Sequence, residues 1–396
     1  MLTDQEITVV IPTYFNLMDF KLTFNGVLSQ SKTPKEIIII DSSEDLLIQQ
    51  FLEEETHTKS IEIIYLRQVK KLFPGAARNL GVSIASSRWI AFLDTKTIPD
   101  SNWLKSSLKK AISSKADVVF GKTKYKASTS FQFYLIGSTY GYYPIVTVPG
   151  TLISKNKFQE TNGFNSIVRS GEDIEWKKEV SEKFYTTEID DRESLSYSSL
   201  PRTLYKTLKK FFIYQMHGAS ADIQINARSL FFAIFLILIT LIIPRWNSFL
   251  IGWDEHPLYI ANITKIYILS ITFFATVLLL LNRSVFSKLR SSPIARAIKL
   301  SIFILLLTVA LRWNYIFAGF VESSSMYIPH ITKTFISIII FGTIFYRGIF
   351  FPCSHGISCK EVFPFRWVKI GVLGLLLDLV KAPGYLIGAI WRILKF

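Results

Sequence analysis

Five short apolar runs, each followed by a segment of helical period, leave few folds open to the first third of this chain. Ile7–Ile11, Glu36–Ile40, Ile61–Leu66, Trp89–Leu93 and Asp117–Phe120 read as strands. Asp19–Gln30, Asp45–Glu55, Gly75–Ser86 and Ser101–Ser114 read as the helices between them. Strands that are apolar on both faces belong in a sheet covered on both sides, and strand–helix alternation makes such a sheet parallel. Ligands of parallel sheets bind beyond the C-terminal strand ends. The residues there are Pro12, Thr13 and Tyr14, then Asp41, Ser42 and Ser43, then Arg67, then Asp94, Thr95 and Lys96.

Charge separates this half from the rest. Residues 1–200 are balanced, so the whole formal excess of +15 lies in residues 201–396. There it is interleaved with the apolar runs Ser229–Ile243, Ile266–Leu281, Leu300–Leu311 (extending to Phe320) and Ile331–Phe345. This pattern excludes a nucleic-acid partner and predicts a membrane protein, each run approaching the roughly 20 residues a span requires. The loop Asn282–Lys299 holds Arg283, Lys288, Arg290, Arg296 and Lys299 and no acid, whereas Pro244–Leu258 sets Arg245 against Asp254 and Glu255. That alternation predicts four transmembrane helices over 229–350, both termini cytoplasmic, in the inner (cytoplasmic) membrane. Residues 201–228, with Lys and aromatic residues at helical spacing, read as an amphipathic interfacial segment. Residues 351–396 read as a cytoplasmic tail with interfacial helices, a hairpin over Val368–Phe396 being favoured over a fifth span. Cys353 and Cys359, with His355 between them, read as free thiols rather than a metal site. The opening "MLTDQE" runs straight into a strand, which predicts a first domain that stays in the compartment where it is made.

The segment Trp89–Ile98, "WIAFLDTKTI", carries the most specific chemistry. A strand ending in Asp-x-Asp presents two hard oxygen ligands for Mg²⁺ or Mn²⁺. Here Asp94 is followed two residues on by Lys96. Together with "VVIPTY" (Val9–Tyr14), "IIIIDSS" (Ile37–Ser43), "GAARNLGVSIA" (Gly75–Ala85) and "GFNSIVRSGEDIEW" (Gly163–Trp176), this segment gives residues 7 to about 218 a specific resemblance to family 2 glycosyltransferases of the GT-A fold. The resemblance implies an α/β GT-A domain, a Rossmann-like nucleotide-binding sheet over residues 1–200, ahead of the α-helical transmembrane domain. It implies a nucleoside-diphosphate sugar as donor.

By the same resemblance, Pro12, Thr13 and Tyr14 frame the nucleobase and ribose, and Asp41 accepts from the base. Gly75–Ala77 allow close backbone approach to a nucleotide, and Arg78 and Asn79 follow at the base or diphosphate. Asp94 matches the first carboxylate of the family's metal motif and is the candidate metal ligand. Glu172 and Asp173 match its late acidic pair, with Asp173 as general base in an inverting single displacement. Without the resemblance, the strand-end residues are ordinary, Arg78 is a helix-surface ion pair, and Glu172–Asp173 are acids favoured at a helix start.

Lys96 departs from the family, and three readings of it stay open. Its ammonium replaces the metal, with Arg169 or Lys124 adding charge; or Asp94 and the diphosphate still recruit Mg²⁺ or Mn²⁺; or the protein is a non-catalytic scaffold. One unit charge at ~4 Å is worth about 4 kcal/mol at an effective dielectric of 20, and a divalent ion about twice that. No cofactor is therefore obligate. His217-Gly218 resembles an element of non-processive, membrane-attached members, which implies transfer of one sugar to a polyprenyl-linked or other glycan acceptor in polysaccharide assembly. A packed interfacial role for His217 and a processive synthase are the competing readings.

Overall fold

The computed structural model describes residues 6–14, 16–55, 61–220, 242–263, 266, 304–305, 308–309, 311–319, 322–328, 337 and 340–394. Contacts divide the chain into two units, Met1–Gln224 with Ile344–Phe396, and Ile225–Thr343.

In the first unit β1 (Ile7–Thr13), β2 (Glu36–Asp41), β3 (Glu62–Arg67) and β4 (Trp89–Phe92) are joined through α1 (Leu17–Leu28), α2 (Leu47–Glu55) and α3 (Pro74–Ile84). They pair in parallel, and Thr13 lies opposite Asp41 in register. Ile37 and Ile39 pack into one layer with Phe20, Phe24 and Phe51. Ile38 and Ile40 pack into the other with Ala77, Val82 and Phe92. Fully burying one such side chain is worth about 1.5–3 kcal/mol, so four in a row fix this strand inside the sheet, covered on both faces.

Beyond β4 the sheet is mixed. After β5 (Thr97–Ile98) and α4 (Trp103–Ser114) come β6 (Val118–Tyr125), α5 (Ser130–Thr139), β7 (Ile145–Ser154) and α6 (Lys155–Gln159). Then follow α7 (Glu172–Lys183), β8 (Thr186–Glu188) and β9 (Leu195–Tyr197). The strand order is β3-β2-β1-β4-β7-β6-β9-β5, with β8 beside β6. β7 runs antiparallel to both neighbours, which corrects the all-parallel expectation. Its Pro149-Gly150 reads as a break in the sequence. In the fold Gly150 has φ 88°, and a Cβ on Gly121 of β6 would lie 2.3 Å from the Pro149 carbonyl oxygen. The strand continues through that bulge because its flanks, Val148, Leu152 and Ile153, are buried.

Two long helices also belong to this unit, α8 (Leu204–Ser220) and α9 (Arg366–Leu394). The tail is one continuous helix and not the expected hairpin, with Pro383 inside it. A proline in a helix costs about 3 kcal/mol locally. Packing outweighs it: Leu373, Leu377, Ala382 and Tyr385 are buried, and α8 lies directly against the Pro-Gly turn. A Cβ on Gly384 would meet the Phe212 carbonyl oxygen at 2.7 Å, and one on Gly388 would meet that of Met216 at 2.1 Å. The two backbones therefore touch at glycines one turn apart. We expect Gly388→Val to force them apart at a cost of about 1–3 kcal/mol. A lower unfolding midpoint for Gly388→Val, with none for Gly342→Ala, whose Cβ meets nothing within 4 Å, would show it; equal midpoints would refute it.

Among the described residues one helix, Arg366–Arg392, is long and apolar enough to cross a bilayer, and 44% of its most apolar window is buried within the protein. The four apolar runs expected to span the membrane lie largely outside the described residues. Cys353 and Cys359 form a disulfide, Cα atoms 5.6 Å apart, which corrects the free-thiol expectation. The turn they close presents the His355 carbonyl to the Tyr142 N–H at 2.7 Å, a placement that spacing in the sequence does not reveal.

The second unit holds a tandem repeat that the sequence reading missed. Arg245-Trp246-Asn247 recurs as Arg312-Trp313-Asn314, and Leu258-Tyr259-Ile260 recurs as Met326-Tyr327-Ile328. The hydrogen bonds recur too. Trp246 Nε1 donates to Leu258 O and Trp313 Nε1 to Met326 O, at 3.0 and 2.8 Å. Asn247 brackets the backbone N–H and carbonyl of Ile260, and Asn314 brackets those of Ile328. Gly252 and Gly319 take φ of 86° and 55° at matching turns.

Candidate active site

The C-terminal ends of the parallel strands gather most of the residues singled out by the sequence. Thr13 is buried at the end of β1, with its Oγ1 lacking a partner. Pro12 is half-buried. Tyr14 is exposed, and Lys71 Nζ sits 3.7 Å above its ring centroid. Asp41 is fully buried beside Thr13, accepting the Ser43 N–H at 2.8 Å and the Tyr65 hydroxyl at 2.9 Å. Both carboxylate oxygens thus already have internal donors, and burial with the Asp41 charge raises the Tyr65 phenol.

Arg78 is the hub. It leaves the first turns of α3 fully buried and bridges two acids that lie far apart in sequence. Its Nη2 donates to Asp94 Oδ1 at 2.7 Å, and its Nη1 donates to Glu172 Oε1 at 3.0 Å. Its guanidinium carbon lies 5.1 Å from the Phe164 ring centroid. Arg78 is buried rather than on the helix surface, and it acts as an internal clamp. Asn79 is turned inward as well, holding the Phe164 backbone at both its N–H and its carbonyl. The start of α3 is closed by this loop: a Cβ on Gly75 would lie 2.4 Å from the Asn165 carbonyl oxygen. The small residues there serve chain–chain approach, a use that sequence alone cannot tell from approach to a ligand.

Asp94 lies two residues past β4 with its side chain 38% exposed. A tight turn follows, closed by the Thr97 N–H to Asp94 O at 2.9 Å, and it leaves Lys96 exposed. Lys96 has no carboxylate partner among the described residues. Gly171, with φ 97°, turns the chain into α7, whose first two residues are the acidic pair. Burial pushes the Glu172 carboxyl up to about 7 against the pull of Arg78, and the neighbouring Asp173 adds to the rise. Asp173 is raised too, by burial first and by Asp94 in part, with Arg78 opposing. These acids share one counter-charge. Among the described residues no three acids, histidines or cysteines come together as a metal site. With one oxygen of Asp94 on Arg78 and Lys96 two residues away, this donor set does not fit a divalent ion unaided.

α8 adds side chains that the sequence reading assigned to the membrane surface. Lys210 Nζ lies 5.7 Å above the Tyr197 ring and 5.3 Å above the Tyr214 ring. Tyr197 is the register partner of Thr97, so Lys210 comes close beside Lys96. Burial, then the Lys96 charge, lower the Lys210 ammonium to about 8. Tyr125 stacks on Tyr140 at 3.9 Å and tilts against Tyr197 at 5.2 Å, walling the acids on that side. The Ser170 hydroxyl donates to the Tyr214 carbonyl at 3.2 Å, linking α8 to the turn before the acidic pair. His217 lies edge-on to Phe73, ring centroids 6.3 Å apart. The alternation of Lys with aromatics in "LYKTLKKFFIYQM" was the available signal. Its inward face could be assigned only with β9 in place.

Comparison with known proteins adds the family. Residues 8–168 match the model for glycosyl transferase family 2. They form a domain of that family. Its α/β sheet is of the GT-A type. The match stops four residues before Glu172, so the acidic pair rests on geometry. An uncharacterized glycosyltransferase of Rickettsia bellii is 29% identical over 187 residues, 44% of this chain and 26% of its own length. Glycosyltransferase GlyA of Streptococcus pneumoniae is 25% identical over 146 residues, covering 35% and 20%. Glycosyltransferase AglE of Haloferax volcanii is 21% identical over 192 residues, covering 46% and 62%. The chain thus spans less than two thirds of each of these curated relatives. The solved structure of S. aureus TarS 1-349 in complex with UDP-GlcNAc aligns with TM-score 0.42 and 15% identity, covering 78% of this chain and 92% of that one.

Proposed function

We propose that this protein moves a single sugar from a nucleoside-diphosphate sugar to a lipid-linked acceptor at the cytoplasmic face of the membrane. The carrying observation is the Arg78 clamp, which draws Asp94 and the Glu172–Asp173 pair together at the C-terminal edge of a family 2 sheet. Asp173 takes the proton of the acceptor hydroxyl. The hydroxyl oxygen attacks the anomeric carbon, and the bond to the diphosphate oxygen breaks with inversion. The departing diphosphate is neutralised by Lys96, with Lys210 beside it. Thr13 and Tyr14 line the nucleoside end, with Asp41 buried beside Thr13. The four apolar runs and the basic 282–299 loop support membrane attachment with both termini cytoplasmic.

The experiment compares transfer rate against free metal for the parent and for Lys96→Asp. The parent is expected to keep measurable transfer in excess chelator. Lys96→Asp restores a pair of hard oxygen ligands, and its activity is expected to require Mg²⁺ or Mn²⁺. A parent that loses all transfer in chelator and regains it with micromolar metal would rule out neutralisation by lysine. Absence of both transfer and donor hydrolysis under every condition would favour a non-catalytic scaffold.

A further inference from the structure

Arg245 and Arg312 occupy equivalent positions in the two copies of the repeat and meet where the copies touch. Arg245 Nη2 donates to the carbonyl of Leu311, the residue just before Arg312, at 3.3 Å. The two guanidinium groups are near enough to repel each other. Both side chains are half-buried. Arg312 has no carboxylate partner among the described residues, and its Nε is buried without an acceptor. Glu255 and Glu322, also equivalent in the repeat, are exposed, and neither forms an ion pair with Arg312. Two like charges drawn together out of water cost free energy, which an anion between them returns.

We propose that Arg245 and Arg312 together hold the phosphate headgroup of a membrane lipid. Guanidinium forks match phosphate oxygens with paired, charge-assisted hydrogen bonds. The position argues for a lipid over a free ion. Each Arg-Trp-Asn stands at the end of an apolar run, one residue past Ser229–Ile243 in one copy and directly after Leu300–Leu311 in the other. Lipid phosphates lie at the depth where spans end and tryptophans anchor. Two apolar runs, Ile266–Leu281 and Leu300–Leu311, separate the two loops, so as spans they bring both loops out on one side, where they can share one ligand. The inference does not depend on the transfer chemistry, only on the runs being spans.

The full chain in detergent tests this through its unfolding midpoint and through lipid retention by native mass spectrometry. The probes are phosphatidylglycerol, diacylglycerol and inorganic phosphate. Phosphatidylglycerol is expected to raise the parent midpoint, diacylglycerol not to, and inorganic phosphate to do so less. Arg245→Gln/Arg312→Gln should retain at least tenfold less phosphatidylglycerol. Without lipid, Arg312→Gln alone should unfold no earlier than the parent, because a repulsion and a buried donor without an acceptor have been removed. If the double variant does not fold, Arg312→Lys against Arg312→Gln decides, the lysine keeping the lipid effect and the glutamine losing it. Equal retention by parent and glutamine variants, equal stabilisation by diacylglycerol, or a phosphate effect matching that of the lipid would each overturn the proposal.

Discussion

Replacing Asp173 with Asn is expected to slow sugar transfer by about 10²–10⁴-fold, the usual cost of removing a general base. The amide keeps the shape and cannot take a proton. Donor binding should hold, because Asp173 sits at the acidic pair and not at the nucleoside end. Folding should hold too: burial outweighs the pull of Arg78 and the Ile174 N–H on the Asp173 charge, so a neutral amide of the same shape costs little net. The pH profile adds an independent sign. Glu172 is pushed up to about 7 and Asp173 is raised beside it, so the two titrate as a pair. A base works only once deprotonated, so the parent rate should rise with pH over a range above that of an ordinary carboxyl. That rising limb should be missing from whatever activity Asp173→Asn retains. Transfer within threefold of the parent, with the limb intact, would remove Asp173 from the mechanism.

The fold was legible where burial is uniform and illegible where it is interrupted. β1, β2 and β4 could be read because their central positions face one of two apolar layers, so the run stays apolar but for the buried Thr8 and the strand ends. β7 was lost at Pro149-Gly150, where a bulge mimics a loop. The α9 hairpin expectation failed for a related reason. Pro383-Gly384 breaks an isolated helix, but here the glycine is what lets α8 approach. The repeat escaped because its matching triplets are short and the second copy is one residue longer between them.

At the site, sequence identified residue types and strand ends but not the directions of side chains. Asp41 and Asn79 lie where the pattern put them, yet both spend their hydrogen bonds on the protein itself. Lys210 is the converse. It read as part of a membrane-facing stripe, and it gained a place beside Lys96 only through the β5–β9 pairing, nearly a hundred residues apart in the chain. Non-local pairing of this kind leaves no periodic trace.

Arg78→Met is expected to be the most destabilising single change in the first unit, at about 3–5 kcal/mol, because it strips the cation from a buried pair. Glu172 is 6% exposed in its side chain and Arg78 2%, so water cannot take over the lost role. Arg78→Lys should recover little of this. One ammonium cannot reproduce a planar fork whose two arms reach Asp94 and Glu172 separately. The deficit should depend on pH in a definite direction. A carboxyl whose folded pKa is raised binds its proton more tightly when folded, so it loses stability as pH rises from its unfolded range towards its folded pKa. Glu172 is already up near 7, and removing Arg78 removes the main opposing pull. In the variant Glu172 is then protonated below neutrality, and the penalty of an uncompensated charge disappears there. Denaturant midpoints should therefore separate parent and Arg78→Met widely at pH 8 and much less at pH 5. Coincident midpoints at pH 8, or a gap that widens towards pH 5, would show that Arg78 is not the counter-charge holding the two acidic segments together.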